Sequence, residues 1–294
     1  MKPASFEYHD PTTLAEALEL MARYGEQARP LAGGQSLVPL MNFRLLRPAH
    51  LIDLNGIGEL NYLTPAPDGL RIGANTRQRV LERGAEIERR WPLLRDAAGL
   101  MGPVQVRNRG TLGGSLAHAF PSAELPIVMA TLGASMTLRK RTGRRTVRAG
   151  DFFLSAMATA LEPDELLTEI EIPALPTNCG WSYQEVSRRH GDFALAGAAS
   201  VVALDNSGAI IHARLTLTGS TPLRAHAAEP MLLGERPSES LFKNAAARAA
   251  ENLEADSDLH ASAEYRRHAC KVLAGRALLQ AAGRAAALIQ GGLS

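Results

Sequence analysis

The chain has 294 residues, a length that predicts two or three subdomains rather than one ordinary core. Hydrophobic residues make up 46% of the chain and charged residues 21%, so it has the apolar mass that a folded globular protein needs. The formal net charge of +2 gives no reason to expect a nucleic acid or an anionic membrane as a partner.

Helices and strands are predicted in mixed order through the first 175 residues. In chain order, the predicted elements are a helix at 14–24 ended by Gly25, a strand at 28–32, a helical turn at 38–45 capped by Ser36, a strand at 50–54, a strand at 70–74, a mainly helical region at 77–95 with a break at Gly84 and a restart near Trp91-Pro92, a helix at 123–132 capped by Ser122, a hairpin of 134–139 with 145–148, and a strand at 169–172. Pro173 and Pro176 close the last strand, and we place a boundary there.

The last third of the chain has a different pattern, that of an antiparallel meander followed by helices. The predicted elements are strands at 181–186, 196–204 and 210–217, a turn at 205–208, and Ala-rich helices at 241–253 and 263–281. The predicted division of the whole chain is 1–55, 56–175 and 176–294.

Two glycine pairs, Gly33-Gly34 and Gly113-Gly114, are each followed within two residues by a hydroxyl side chain. Paired glycines allow a positive φ and a close approach of the backbone to a ligand, and successive N–H groups in such a turn can bind an anion. Two such loops could hold one diphosphate between them, although ordinary tight turns also use paired glycines. The Walker pattern is absent, and Gly56-Ile57-Gly58 lacks the third glycine of the Rossmann fingerprint. A dinucleotide bound here therefore needs another fold.

Several polar residues each have two interpretations. Glu124 is either a favourable charge at a helix start or an acceptor for sugar-like hydroxyls. His118 is either an ordinary loop histidine or part of the site after the second glycine pair. The eight histidines show no spacing typical of metal ligands.

Two further polar segments are also open to two interpretations. The segment 187–193 is a turn or a contact to a cofactor or subunit. The basic cluster at 139–148 lacks interleaved aromatic residues, which favours a solvated or partner-facing hairpin over a nucleic-acid patch.

The two cysteines, Cys179 and Cys270, are too few for a disulfide framework or for an iron–sulfur cluster, which generally takes four protein ligands. We therefore expect a reduced, cytoplasmic protein. The first ten residues lack the apolar core of a signal peptide. The longest nearly apolar stretches, 126–138 and 194–204, are shorter than the ~20 residues that span a bilayer, so no membrane span is expected.

Four segments in a fixed order carry a resemblance to a known family. They are Ala32-Gly33-Gly34-Gln35-Ser36-Leu37, His50-Leu51-Ile52-Asp53-Leu54, the run from Arg107 through Gly113-Gly114-Ser115 to His118, and Ser187 to Phe193. Together they resemble the medium, FAD-binding subunit of molybdenum hydroxylases, a family that includes carbon monoxide dehydrogenase, bacterial nicotine and caffeine dehydrogenases and the flavin domain of xanthine dehydrogenase. The resemblance covers nearly the whole chain.

The resemblance implies an α+β fold like that of vanillyl-alcohol oxidase. Two subdomains surround FAD, and a C-terminal domain follows with a three-stranded antiparallel sheet and helices. In the family, both glycine loops clamp the FAD diphosphate, an acidic residue binds the flavin's sugar-like hydroxyls, and an apolar residue lies against the ring system. The cofactor-binding residues expected from this are Leu31, Ala32, Gly33, Gly34, Gln35, Ser36, Leu37, Thr111, Gly113, Gly114, Ser115, His118, Glu124, Leu166 and Leu167. No catalytic residue or metal ligand is assigned to this chain.

The chain departs from the family pattern at three positions. A Lys found near the cofactor in some members falls at Gln184 or Glu185, and neither is Lys. Phe120 stands where many members carry Asp, which either changes the flavin surroundings or has no effect.

The function implied is electron transfer within a heterotrimer. A large partner subunit would hold the molybdopterin cofactor, a small partner would hold two [2Fe–2S] clusters, and electrons would pass through the clusters to FAD and then to an external acceptor. Such heterotrimers often pair into a dimer of heterotrimers, and the sequence leaves open whether this one does. No nucleic-acid partner is expected. The alternatives are a stand-alone FAD-dependent oxidase and a non-catalytic nucleotide-binding or scaffold protein.

Overall fold

A computed structural model describes residues 2–291, and its N-terminal part is a small parallel sheet. The elements are β1 (Glu7–His9), α1 (Leu14–Tyr24), β2 (Ala28–Leu31), α2 (Leu37–Asn42) and β3 (His50–Asp53), with strand order β1-β3-β2. Helix α1 begins with a capping box between Thr13 and Glu16 and ends at Gly25, where φ is +47°. Its apolar face packs on the sheet, so both ends of the predicted helix are confirmed.

The middle part is an antiparallel sheet with short helices on it. Its elements are β4 (Leu63–Ala66), β5 (Gly69–Gly73), α3 (Gln78–Arg83), α4 (Ala85–Arg90), α5 (Pro92–Leu100), α6 (Val104–Arg109), α7 (Leu112–His118), α8 (Glu124–Leu132), β6 (Ser135–Lys140), β7 (Gly143–Arg148), α9 (Ala149–Phe152), β8 (Phe153–Ser155), β9 (Ala158–Thr159) and β10 (Leu166–Pro173). Five strands form the order β4-β5-β10-β6-β7, and β8 pairs with β9.

The C-terminal part is an antiparallel sheet covered by two helices. Its elements are β11 (Cys179–Val186), β12 (Ala196–Leu204), β13 (Ile210–Leu217), β14 (Leu223–Arg224), α10 (Glu239–Ala250) and α11 (Ala263–Gly291). The strand order is β11-β12-β13-β14. The predicted sheet had three strands, and the structure adds a fourth, β14. Because β14 has only two residues, it shows no recognisable alternation of apolar and polar residues in the sequence.

Helix α8 joins the middle and C-terminal parts. All nine of its residues are buried, and it contacts α5 on one side and β12 and β13 on the other. One hydrophobic core therefore runs from the central sheet through α8 to residues of β11 and β12 such as Tyr183 and Val201. A helix that is apolar on all sides is typical of this kind of sandwiched position.

Helix α11 is long and apolar enough to cross a membrane by length and composition alone. It instead lies across β11 and β12 and buries Ala274, Ala277, Leu278 and Ala281 against that sheet. This packing is that of a core helix.

The structure differs from the predicted elements at several helices. The residue before α8 is Ala123 rather than Ser122, and Ser36 makes no capping hydrogen bond at α2. The helical region predicted at 77–95 consists of three short helices, and the interruptions fall where they were predicted, at Gly84 and at Trp91-Pro92. Helices α6 and α7 were not predicted, because each has only six or seven residues, fewer than two turns of periodicity.

The basic cluster lies on the β6–β7 hairpin, as expected. Lys140 donates to Glu162 over 2.8 Å, and Arg145 forms a two-pronged contact with Glu165 at 2.7 Å for each oxygen. These acidic partners neutralise part of the cluster, which favours the interpretation as a solvated hairpin.

Close packing between β11 and α11 generates a stability prediction. A Cβ at Gly180 would lie 2.5 Å from the backbone nitrogen of Ala285, closer than any real contact. We expect Gly180→Ala to lower the free energy of unfolding by about 1–3 kcal/mol through overpacking, measured by chemical denaturation.

The matched control is Gly283→Ala on α11, where a Cβ would meet nothing within 4 Å. Because alanine is the better helix former, this control should be neutral or stabilise by ~0.5–1 kcal/mol. Equal effects of the two substitutions would contradict the packing argument.

Candidate cofactor-binding site

A cavity of about 540 Å³ lies where the N-terminal sheet, the helices α6–α8 and the loop after β11 meet. A volume of this size is within the range of cofactor sites. Fourteen of the fifteen residues expected to bind the cofactor line it: Ala32, Gly33, Gly34, Gln35, Ser36, Leu37, Thr111, Gly113, Gly114, Ser115, His118, Glu124, Leu166 and Leu167. Leu31 does not line the cavity, and its side chain lies close to Gly34.

The first glycine loop supplies free backbone donors. Gly34 has a φ of +71°, and a Cβ there would lie 3.2 Å from side-chain atoms of Leu31 and Val38. The loop is held by Asn55, whose side-chain amide donates to the Ala32 carbonyl over 3.0 Å. Across the described chain, the N–H groups of residues 33–36 have no protein acceptor. They are therefore available to an anion in the cavity.

Gly33 serves a different purpose from the predicted one. Its φ is not in the left-handed region, so conformational freedom does not explain the glycine. A Cβ at Gly33 would lie 2.7 Å from the Cα of Gly110. The absence of a side chain thus lets the first loop rest directly on the segment that leads into α7.

The second glycine pair lies in the first turn of α7, where we had predicted a turn with positive φ. That prediction is wrong, because Gly113 and Gly114 both have helical backbones. The N–H of Gly113 donates to the Ala74 carbonyl over 2.7 Å, and the N–H of Gly114 donates to the Thr111 hydroxyl over 3.0 Å. These donors are already satisfied, so the second loop contributes shape and the Ser115 hydroxyl rather than a set of free N–H groups.

The Arg107 side chain, in the motif before α7, holds part of the cavity wall. Its guanidinium donates to the carbonyls of Met101 (3.0 Å) and Gly102 (2.6 Å), both of which line the cavity. It also pairs with Glu82 at 2.8 Å. Arg107 is buried by these contacts, so it is a structural residue of the loop.

The other end of the cavity is aromatic and apolar. Phe120 and Phe193 have ring centroids 4.5 Å apart, and His118 stacks on Phe120 at 6.1 Å. Ala119 between them has a φ of +47° and ends α7 in a left-handed turn. Phe193 is 63% exposed, although it lines the cavity with Gly191 and Asp192. Flat, apolar surroundings of this kind suit a planar ring system.

Glu124 is the buried carboxyl group of the site. It is the first residue of α8, only 4% exposed, and makes no side-chain hydrogen bond to another described residue. Desolvation, together with the nearby charge of Glu185, raises the pKa of Glu124 to about 8. A charge kept only for the helix dipole would lie at the surface, so the burial favours the other interpretation, an acceptor aimed at ligand hydroxyls.

The two positions that depart from the family's Lys lie outside the cavity lining. Gln184 donates to Ser182 over 3.1 Å and to Gln280 over 2.9 Å, so it faces α11. Glu185 lies behind the site near Tyr183, and burial raises the pKa of Glu185 to about 7. In the described structure, neither Glu185 Oε2 nor the Tyr183 hydroxyl has a hydrogen-bond partner.

The lining contains two polar side chains, Asn75 and Gln78, that the sequence did not single out. Asn75 Oδ1 and Gln78 Oε1 are buried without a partner in the described residues, and both side chains line the cavity. Orphaned acceptors are costly unless a donor reaches them, so they fit a polar ligand. The only feature of the sequence that could have indicated Asn75 and Gln78 is that they follow shortly after the predicted strand at 70–74.

Comparisons with known proteins agree with this geometry. Residues 4–175 match a family model described as the FAD binding domain in molybdopterin dehydrogenase, and residues 181–281 match the CO dehydrogenase flavoprotein C-terminal domain. The chain belongs to this family. The resemblance, the mixed α and β fold and the FAD cofactor expected from the sequence are thereby confirmed.

The similarity to individual members extends over almost the whole chain. The alpha subunit of the 6-hydroxypseudooxynicotine dehydrogenase complex of Paenarthrobacter nicotinovorans is 40% identical over 97% of each chain. Caffeine dehydrogenase subunit beta of Pseudomonas sp. CBB1 is 39% identical over 97% of each chain. The fold matches a structure of carbon monoxide dehydrogenase from Hydrogenophaga pseudoflava with a TM-score of 0.94 and 40% identity, covering 97% of this chain and 99% of that one.

The cavity passes a physical test for FAD. It offers free N–H groups at residues 33–36 for a diphosphate, a buried carboxyl and orphaned acceptors for hydroxyl and N–H groups, and an aromatic end for the ring. The residues present therefore fit the cofactor of the family.

The first loop generates a binding prediction. We expect Gly34→Val to weaken FAD binding about tenfold or more, because a β-branched residue at φ +71° costs ~1–3 kcal/mol and distorts the free N–H groups. The measurement is a fluorescence titration of the FAD-free protein with FAD, with circular dichroism to verify folding.

Gly25→Val is the matched control. It also places a β-branched residue at a positive φ, +47°, but at the end of α1 with nothing within 4 Å of the new Cβ. FAD affinity should be unchanged in this control. If both variants bind FAD equally, the loop is a plain turn.

Glu124 generates a stability prediction with a defined sign. Because its pKa is about 8 in the folded protein and 4.5 as the ordinary value, the folded state holds an extra proton and its stability falls as pH rises from about 4.5 to about 8. Glu124→Gln removes this penalty, which is ~3 kcal/mol at pH 7. We expect the FAD-free variant to have a higher Tm than the wild type at pH 7.5.

The pH dependence serves as the internal control. The Tm difference between Glu124→Gln and the wild type should shrink towards pH 5, where Glu124 is protonated in the folded state. The same variant should bind FAD more weakly at pH 7.5, because the carboxyl group proposed to accept from the ligand hydroxyls is lost. A variant that is less stable at every pH would contradict the assignment.

Proposed function

We propose that this chain is the FAD-binding electron-transfer subunit of a three-subunit molybdenum hydroxylase. The observation that carries the proposal is the single cavity that joins the free N–H groups of residues 33–36 to the buried Glu124 and the Phe120–Phe193 pair. The relatives support it, since several are named as medium chains or as subunits of dehydrogenase complexes.

The chain's own residues bind and orient the cofactor. When bound, FAD supplies the redox chemistry, accepting electrons and passing them on. We propose that Gly34 and Gln35 donate backbone N–H groups to the diphosphate and that Glu124 accepts from the hydroxyls. Leu166, Leu167 and the aromatic pair would enclose the ring and exclude water from it.

Electron delivery requires partner subunits. The sequence contains two cysteines, Cys179 and Cys270, and both are buried and apart from the cavity lining. Burial raises the pKa of each thiol to about 11, which disfavours the thiolate that a metal cluster needs. We therefore assign [2Fe–2S] clusters to a small partner and the molybdopterin cofactor to a large one. We also propose a cytoplasmic location and a dimer of heterotrimers.

Co-expression tests the assembly. We expect the chain to co-purify with a large molybdopterin-type subunit and a small cysteine-rich subunit encoded beside it. Fractions that contain this chain should show flavin absorbance equivalent to about one FAD per chain. Elemental analysis should find molybdenum and iron only in fractions that contain the partner subunits.

The isolated chain is the control. It should take up FAD but oxidise no small substrate, because in the proposed assembly the substrate is oxidised on the large molybdenum-containing partner. Turnover by the chain alone would favour a stand-alone oxidase. A chain that binds ADP but no flavin would favour a nucleotide-binding scaffold, and either result would overturn the proposal.

A further inference from the structure

Three potential metal ligands meet on one face of the N-terminal sheet, away from the cofactor cavity. Strand β1 pairs in parallel with β3 so that Glu7 lies opposite His50, and His9 follows two residues after Glu7. Paired residues and residues two apart share a face of a sheet, so all three side chains project to the same side. This convergence comes from strand pairing over 41 to 43 residues, which is why the histidines show no ligand spacing in the sequence.

The distances between the three groups are those of ligands around one small ion. His9 Nε2 lies 3.2 Å from His50 Nδ1, and Glu7 carboxylate oxygens lie 3.3 Å from His50 Nδ1 and 3.9 Å from His9 Nε2. Two ligands bound to Zn²⁺ at 2.0–2.1 Å with a tetrahedral angle are about 3.3 Å apart. The triangle therefore needs little adjustment to surround a metal ion.

The imidazole rings are held in place by Tyr24 at the end of α1. The Tyr24 ring stacks on His50 with centroids 3.7 Å apart and on His9 at 5.2 Å. The two histidine side chains are each 15% exposed, whereas Glu7 is 63% exposed. The rings are thus pre-positioned, and Glu7 can close over an ion that enters from solvent.

We propose that Glu7, His9 and His50 form a binding site for a divalent transition metal such as Zn²⁺. Two imidazoles and one carboxylate are a ligand set that Zn²⁺ prefers, and a fourth position would remain for water. A bound ion would fasten β1 to β3 and so brace the sheet from which the first glycine loop extends. The proposal does not rest on FAD binding, since none of these residues lines the cavity.

A direct hydrogen bond between the two histidines is the competing explanation. In that case one ring donates to the other over 3.2 Å, and no ion is needed. The two explanations differ in what happens when metal is added, so metal titration of the whole chain separates them.

The experiment is a calorimetric titration of the FAD-loaded chain with Zn²⁺ after removal of metals by a chelator. We expect saturable one-to-one binding and a higher Tm in the presence of Zn²⁺. Co²⁺ used as a spectroscopic probe should give visible absorption bands of a low-coordinate site. Glu7→Gln and His50→Ala should each weaken binding about tenfold or more.

Two comparisons keep the result interpretable. His268→Ala removes an exposed histidine on α11 and should leave Zn²⁺ binding unchanged. Glu7→Gln alters an exposed side chain, so it tests the site even if His50→Ala fails to fold. The proposal is overturned if the wild type shows no saturable one-to-one binding, or if Glu7→Gln binds Zn²⁺ as tightly as the wild type.

Discussion

The cavity proposed to hold the cofactor depends on backbone segments that are in direct contact, with no side chains between them. Gly33 rests on Gly110, and Gly113 rests on Ala74, in each case at a separation that a Cβ would not permit. The side chain of Arg77 donates to the Arg109 carbonyl and to Asn55, which links the same segments by hydrogen bonds. Because protein interiors are close-packed, widening any of these contacts would move the first loop relative to α7 and change the cavity between them.

The sequence singled out two glycine loops that line the cavity, but it misjudged what their glycines do. Glycine pairs predict positive φ or close approach, and a single sequence does not separate the two causes. In the structure, Gly34 has the positive φ, whereas Gly33 and Gly113 are required by close approach to segments far away in the chain. Tertiary contacts of this kind leave no local signal. The glycine pairs could therefore be found in the sequence, but the structural reason for each glycine could not.

Other features of the site were predictable to different degrees. Helix α1 follows from its apolar periodicity, and strands β12 and β13 follow from apolar runs on either side of the turn at 205–208. The predicted bounds of all three agree with the structure. Glu124 had two equal interpretations, because the sequence does not show that the start of α8 is buried by a neighbouring sheet. Composition and spacing do not show which segments far apart in the chain meet in the fold. For this reason the sequence did not reveal the positions of Asn75 and Gln78 in the cavity lining or the pairing of Glu7 with His50.

The absence of the family's Lys at 184 or 185 affects the pKa of Glu124. Which of the two positions matters follows from the alternation of side chains between the two faces of β11. Odd-numbered residues of this strand face the central core, while Gly180, Ser182 and Gln184 face α11. A residue at 184 is therefore turned away from the cavity, and only 185 is on the side of Glu124. A Lys at 185 would favour the ionised form of Glu124, whereas Glu185 raises the Glu124 pKa by like-charge repulsion. Glu185 thus keeps Glu124 closer to neutrality. In the proposed site, binding of FAD hydroxyls by an ionised Glu124 would be coupled to the loss of a proton from this buried pair.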